Sequence, residues 1–212
     1  MKAKYNVGLN DVDKSKPFVE IENLERDINQ LVYKVTRSDL INAGLTLIRN
    51  EKDILPIKKI KRKKFASIAF NTNDITEFQT KLSKYAEVDH FIFNEQRRDS
   101  LFDILKEYDL VFASVHNTSY YTPSNYKVKS DHLYQIAELS NETKVIFSVF
   151  ANPYSLRKFE FIDSIDAVLI AYSDNVDTQN AAAQAVFGGL ELSGKLPVGI
   201  NSNYPVGTGI HL

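Results

Sequence analysis

The sequence contains no cysteine, and this single absence removes several kinds of chemistry. Disulfide bonds, thiolate nucleophiles and zinc sites with cysteine ligands are all excluded across the 212 residues. Thiol-based redox chemistry is excluded with them, whereas the compartment in which the protein works stays open. The hydrophobic fraction of 43% suffices for a core that needs neither metal nor disulfide.

An excess of charge of one sign and long hydrophobic runs are lacking as well. Lys and Arg total 26 against 27 Asp and Glu, so the whole-chain field that attracts nucleic acid or an anionic membrane is missing. Nowhere do about 18 apolar residues run together, and residues 1–15 have no apolar core of signal-peptide type. These features predict a soluble chain with no nucleic-acid partner and no membrane segment.

Short apolar runs rich in β-branched and aromatic residues alternate with segments of helical period. Most runs are apolar on both faces, which is typical of strands in a parallel sheet covered on both sides. The alternation predicts a three-layer α/β/α sandwich with an open sheet of about six mostly parallel strands. The predicted strands cover 65–70, 88–93, 110–115, 145–150, 167–172 and 196–200, and the helical segments cover 74–86, 95–107, 129–140, 154–164 and 176–190.

The part before the first strand divides into two predicted segments. Residues 23–50 have apolar side chains at helical intervals and indicate one long helix or two. Residues 1–22 have a polar, turn-forming composition that indicates a linker or arm. We therefore predict an arm over 1–22 and one domain over 23–212.

A run of six positive charges, Lys58–Lys64 with only Ile60 uncharged, stands directly before the first strand. Such a run is one form of polyanion-binding patch. The simpler interpretation in a neutral chain is a solvated loop that also discourages pairing at a sheet edge.

Polar residues follow three of the predicted strands at the carboxyl ends, where open α/β sheets place their ligand-contacting loops. Tyr, Asn and Ser in such loops can stack on and hydrogen-bond a sugar or a peptide. Asn, Ser and Asp are also the residues that helix N-caps select, so capping is an alternative interpretation. No paired carboxylates and no metal-ligand cluster stand out there, and His132 is predicted to lie on a helix surface. The candidate contact residues are His116, Asn117, Ser119, Tyr120, Tyr121, Asn152, Asp174 and Asn175.

The last third of the chain resembles a known family. The Ala-rich stretch Asn180–Gly189, followed by Ser193–Val198, resembles the helix, Phe-Gly turn and Ser-Gly-Lys-Leu-Pro strand in the second domain of glycoside hydrolase family 3. Tyr204–Ile210 is similar to the closing segment of that domain, and Leu45–Ile57 is similar to its opening. Lys4–Leu9 resembles the stretch at which the first domain of the family, a TIM barrel, ends.

The resemblance implies a flavodoxin-like sandwich whose last strand, near 195–200, is antiparallel at an edge. It also implies a barrel in cis that carries the catalytic nucleophile, so this chain has no catalytic residue, cofactor or metal of its own and caps a cleft that holds carbohydrate. Members of β-glucosidase type take an acid/base Glu from the second domain, but Tyr120–Leu133 contains none. The chain therefore looks like the β-N-acetylhexosaminidase type, whose acid/base lies on the barrel, and a bacterial periplasm or cell envelope is the implied location.

A free-standing flavodoxin-like module that binds a ligand or regulates a partner is the alternative. A receiver would need clustered acids after the first strand, and a flavin domain would need a phosphate-binding loop there. Asn71, Thr72 and Asn73 stand at that place and fit neither role well.

Overall fold

A computed structural model describes residues 2–6 and 22–212 of the chain. It divides into two compact units, one up to Asp39 and the other from Leu40 to Leu212. The first unit contains helices α1 (Lys2–Asn6) and α2 (Leu24–Ile28) and most of α3 (Leu31–Gly44). The predicted arm over 1–22 lies mostly outside the described residues, so its boundary stays a prediction.

The second unit contains a six-stranded sheet and confirms the predicted fold class. The order across the sheet is β1-β6-β5-β4-β2-β3, and every neighbouring pair is parallel except β1 with β6. The strands are β1 (Thr46–Asn50), β2 (Phe65–Phe70), β3 (Val88–Ile92), β4 (Leu110–Val115), β5 (Val145–Val149) and β6 (Ala167–Ile170).

The antiparallel edge strand exists, but the sequence prediction put it in the wrong segment. β1 forms this edge within residues that were predicted to be helical, whereas 196–200 contains no strand. Pro197 has no backbone N–H for a ladder, and the hydrogen bonds of Leu196 and Ile200 go to Thr208, Gly207 and Tyr204 in a local turn. The outer side of β1 receives one bridge, from Ile210 to Leu47.

Two helices cover each face of the sheet. Side chains of β2 and β4 alternate between two core clusters, with Ile68 and Val111 in one cluster and Phe65 and Phe112 in the other. Helices α5 (Arg98–Leu105) and α6 (Ser130–Glu142) contribute to the first cluster, and α4 (Glu77–Leu82) and α7 (Val176–Val186) to the second. The interior strands β2, β4, β5 and β6 are therefore buried on both faces, as a parallel sheet requires.

The prediction of a helix over 154–164 is wrong. Two short 3-10 helices, Pro153–Leu156 and Ile162–Ser164, stand in its place. Buried apolar residues in and beside these two helices recur every three positions, at Leu156, Phe159, Ile162 and Ile165. A period of three matches the 3-10 helix, and a sequence window this short does not separate it from the α-helical 3.6.

Candidate functional site

Loops that follow β2, β3, β4, β5 and β6 meet at the carboxyl edge of the parallel part of the sheet. The chain leaves β2 toward β3 on one side, and the next strand, β4, lies on the other side of β2. Open α/β sheets bind ligands at this kind of switch point, because the two diverging connections leave a crevice between them.

His116 lies at the centre of a buried hydrogen-bond network at this edge. Its Nδ1 lies 2.9 Å from Asp174 Oδ1, and its Nε2 lies 2.9 Å from Ser114 Oγ. The ring also stacks on Phe150 at 5.0 Å between centroids. The carboxylate of Asp174 accepts two further bonds, from the backbone N–H of Asn117 and from the side chain of Gln179. The structure thus brings three of the predicted residues, His116, Asn117 and Asp174, into contact across 58 positions of sequence.

Ser114, His116 and Asp174 are hydrogen-bonded in the same sequence of side chains as a hydrolase triad. Unlike the serine of such a triad, however, this serine is not accessible. Ser114 is fully buried within β4, and only 2% of His116 is exposed. A nucleophile must reach the substrate carbonyl, so this serine cannot serve as one. The network acts instead as a tie between the loops after β4 and β6.

A second tie joins the loops after β2 and β4. Asn71 Nδ2 donates to His116 O at 2.7 Å, and Asn117 Nδ2 donates to Asn71 O at 2.8 Å. Both asparagines have positive φ, 62° and 52°, a conformation that asparagine tolerates better than most residues. Asn117 is one of the contact residues predicted from the sequence, whereas Asn71 entered only as part of a segment that fits a phosphate-binding loop poorly. The sequence feature that marks Asn71 is its place directly after a buried strand, where the chain must turn.

Tyr120 and Tyr121 project from the loop after β4, here called the rim loop (residues 116–126). Their exposed fractions are 89% and 66%. The base of the rim loop is held by Ser119 N, which donates to the carbonyl oxygen of buried Tyr126, and by Thr118 Oγ1, which donates to Phe150 O. Ser119 itself accepts a bond from Tyr121 N. Two aromatic rings are therefore presented to solvent on an anchored loop.

Asn152 and Asn175 have the capping role that the sequence analysis left open as an alternative. Asn152 Oδ1 accepts from Tyr154 N at the start of a 3-10 helix, and Asn175 Oδ1 accepts from Thr178 N at the start of α7. The side-chain oxygens of both residues are thus engaged in local structure.

A crevice of about 650 Å³ opens at the switch point between the loops after β2, β3 and β4. Phe93 and His132 supply its aromatic lining, and Lys129, Glu95 and Asp131 supply its charges. All of the remaining lining residues have side chains that both donate and accept hydrogen bonds, which suits a neutral, polyhydroxylated ligand. These are Asn71, Thr72, Asn73, Asn94, Gln96 and Asn117.

His132 corrects one expectation from the sequence about this edge. It is not a helix-surface residue: it is 7% exposed and lies 5.4 Å from the rings of Phe70 and Phe93. Its Nδ1 has no hydrogen-bond partner, and burial, with nearby Lys129 as a second cause, lowers the pKa of His132. The imidazole is therefore held neutral in the wall of the crevice.

Carboxylates also occur where the sequence analysis found no pair. Glu95 and Asp131 both line the crevice, and both are exposed. A general acid that works near neutral pH needs a carboxyl removed from water, which neither environment provides. Among residues 2–6 and 22–212, no group of three or more His, Cys, Asp or Glu is arranged to hold a metal ion. In the same part of the chain, no helix is long and apolar enough to cross a bilayer.

Comparison with known proteins gives a result at the level of fold. No family model and no curated protein matches the sequence. Solved structures do match. The chain is similar to a fungal multi-domain family 3 β-N-acetylglucosaminidase, with TM-score 0.63 and 18% identity over 82% of this chain. It is also similar to a family 3 β-N-acetylglucosaminidase from Paenibacillus sp. str. FPU-7, with TM-score 0.57 and 13% identity over 84%. A β-glucosidase from Listeria innocua gives TM-score 0.62 and 14% identity over 92%.

The likeness covers most of this chain but only part of each matched protein. The matched region is 19% of the fungal enzyme, 33% of the Paenibacillus enzyme and 30% of the Listeria innocua β-glucosidase. The resemblance to glycoside hydrolase family 3 is thus confirmed as a resemblance of fold. This chain has the architecture of one domain found within these longer glycosidases.

Proposed function

We propose that this chain is the accessory α/β domain of a family 3 glycoside hydrolase and caps an active site on a TIM barrel in the same polypeptide. The observation that carries the proposal is the match of one domain within much longer glycosidases to 82–92% of this chain. The motifs at 180–198 and 204–210 support it independently, because they were identified from the sequence alone.

The hydrolytic chemistry in this proposal belongs to the barrel. Glycoside hydrolysis needs two groups that flank one bond, one of them poised as an acid. The crevice offers Glu95 and Asp131, and both stand in water. The segment Tyr120–Leu133, which supplies a Glu in β-glucosidase-type members, has none. These two facts favour the β-N-acetylhexosaminidase type.

The contribution of this chain is therefore positional. The crevice and the rim loop share one edge of the sheet, and Tyr120 and Tyr121 are free to stack on a sugar ring. Helix α3 supports a further domain contact, because Leu31, Val32, Val35 and Leu40 are exposed apolar side chains on a single helix. Such a patch typically marks a surface that another domain covers.

The first test is activity of the isolated chain toward chromogenic N-acetyl-β-glucosaminide and β-glucoside. We expect rates no higher than buffer. Turnover that survives repurification and disappears in Glu95→Gln or Asp131→Asn would overturn the proposal, because it would place the chemistry in this chain.

The second test joins the chain to a family 3 barrel. Tyr120→Ala with Tyr121→Ala is expected to raise KM by about tenfold with kcat little changed, because stacking binds the ground state and the transition state alike. Tyr134→Ala is the matched control. Its ring packs against Phe159 and Phe161, so it should lower the melting temperature and leave KM unchanged. Unchanged KM in the rim-loop variant would remove the rim loop from the substrate cleft.

A further inference from the structure

Lys58–Lys64, here called the cationic turn, lies at the edge of the sheet opposite the crevice. It directly precedes β2 and therefore stands at the amino ends of the parallel strands. Arg62 N donates to Lys59 O at 3.0 Å, and Lys63 N donates to Ile60 O at 3.3 Å. Ile60 packs against the core, so the backbone is folded and anchored. The charges are presented by a defined turn.

The six cationic side chains of the turn have no ion pair within the described part of the chain. Three cations of the same unit, Arg49, Arg98 and Lys106, do contact a carboxylate. Ion pairs within the described part of the chain therefore do not explain why the turn carries six positive charges.

Protection of a sheet edge gives no account of them either, although the sequence suggested it. The strand that follows the turn, β2, is paired with β3 on one side and with β4 on the other. It has no open edge that charges could guard.

Acidic neighbours divide the turn into two parts. Lys63 and Lys64 border a hollow with Glu87, Asp89, Asp103 and Glu107, and Lys58 and Lys63 border another with Glu51, Asp53 and Asp166. Lys59, Lys61 and Arg62 line neither hollow and are exposed. Lys144, at the amino end of β5, adds a cation to the second hollow. The outward part of the turn is positive.

We propose that the cationic turn binds the surface of an anionic lipid bilayer through its phosphate headgroups. Clusters of four to eight Lys and Arg residues beside a membrane helix or on an amphipathic helix bind anionic headgroups, and this turn presents six such cations at the surface. Five of the six cations are lysines, point charges that meet scattered phosphates without a fixed geometry. The turn contains no aromatic side chain on which a base could stack, which disfavours a single-stranded nucleic acid. Docking by this edge directs the crevice away from the membrane, and the proposal is independent of the glycosidase role.

The test is sedimentation of the 212-residue chain with vesicles. We expect binding to phosphatidylglycerol/phosphatidylcholine vesicles in about 0.05 M salt, none to pure phosphatidylcholine, and loss in about 0.5 M salt. Each Lys or Arg near such a surface contributes about fivefold in affinity, so Lys59→Gln, Lys61→Gln and Arg62→Gln together should weaken binding about a hundredfold. Lys61→Gln alone should weaken it about fivefold.

The matched control removes three charges from other elements, as Lys81→Gln, Lys158→Gln and Lys195→Gln. It should change affinity by less than about threefold, because screening confines the attraction to charges near the bilayer. Melting temperatures of both triple variants should equal that of the parent chain. Absence of vesicle binding at low salt, equal loss in the two triple variants, or tighter binding to double-stranded DNA than to the vesicles would each overturn the proposal.

Discussion

Asp174 accepts three of the side-chain and backbone hydrogen bonds at the carboxyl edge. Its carboxylate accepts bonds from His116, Asn117 and Gln179, and both His116 and Gln179 are buried. Removing an acceptor from buried donors costs the full desolvation of those donors. Part of the candidate site therefore rests on one side chain.

Asp174→Ala is accordingly expected to lower the free energy of unfolding by about 2–3 kcal/mol, measured as a shift of the urea midpoint. Asp74→Ala is the control, because that exposed carboxylate belongs to the same edge and should cost less than about 0.5 kcal/mol. Equal effects of the two substitutions would show that the network does not tie the loops.

His132 makes stability depend on pH. Its folded-state pKa lies below the ordinary 6.5, chiefly through burial, so the unfolded chain binds the proton more readily. Its stabilising contribution is present above pH 6.5 and declines as the pH falls below that value toward the folded pKa. His90, whose pKa burial also lowers, acts in the same direction.

We expect the urea midpoint to fall between pH 7.5 and 5.5, and His132→Phe to reduce that fall. Phenylalanine fits beside Phe70 and Phe93 and carries no proton. The pH dependence of stability that comes from His90 remains in the His132→Phe variant. If the urea midpoint of His132→Phe fell with pH as much as that of the parent chain, His132 would not be a source of the pH dependence.

At the scale of elements, the edge strand β1 is held by the chain segment that follows α7. Gly194 lies against the start of β1, where an added Cβ would approach Gly44 O and Thr46 Oγ1 to 2.7 Å. This contact is the physical reason for a glycine within the Ser193–Val198 motif, since only glycine lets the two backbones approach so closely.

Gly194→Ala should therefore lower the free energy of unfolding by about 2–3 kcal/mol, because backbone atoms directly before β1 would have to move. Gly44→Ala provides the matched control. No atom lies within 4 Å of its added Cβ, and alanine favours the end of α3. Thermal unfolding of both variants distinguishes close packing from a general effect of glycine, and a tolerated Gly194→Ala would contradict the packing argument.

For the whole molecule, the two compact units make different contributions to the core. Every buried hydrophobic residue in the described chain lies at Leu45 or beyond. We expect deletion of residues 1–39 to leave the urea midpoint nearly unchanged, because no core side chain is lost. Deletion of residues 1–50 removes β1 with Leu45, Leu47 and Ile48 and should abolish cooperative unfolding. A large loss from the shorter deletion would show that the first unit is part of the fold.

Much of the architecture was determined by the sequence alone, because burial on both faces leaves a local mark. Apolar runs such as 110–115 and 145–150 indicate interior strands without any knowledge of their neighbours, and they are β4 and β5. The family motifs are likewise continuous segments. The type of sheet and the resemblance to family 3 domains can therefore both be inferred from the order of the amino acids.

Only the tertiary structure decided which residues meet. Leu45–Asn50 satisfies a helical and a strand period equally in so short a window, and its pairing with β6 made it the antiparallel edge. His132 carries no sequence mark of burial, and the contact of Asp174 with His116 spans 58 positions. The crevice is formed by three loops that the crossovers bring to one edge. The periodicity of apolar residues shows which side chains share a face of a helix or strand. The contacts between helices and strands depend instead on the path of the whole chain.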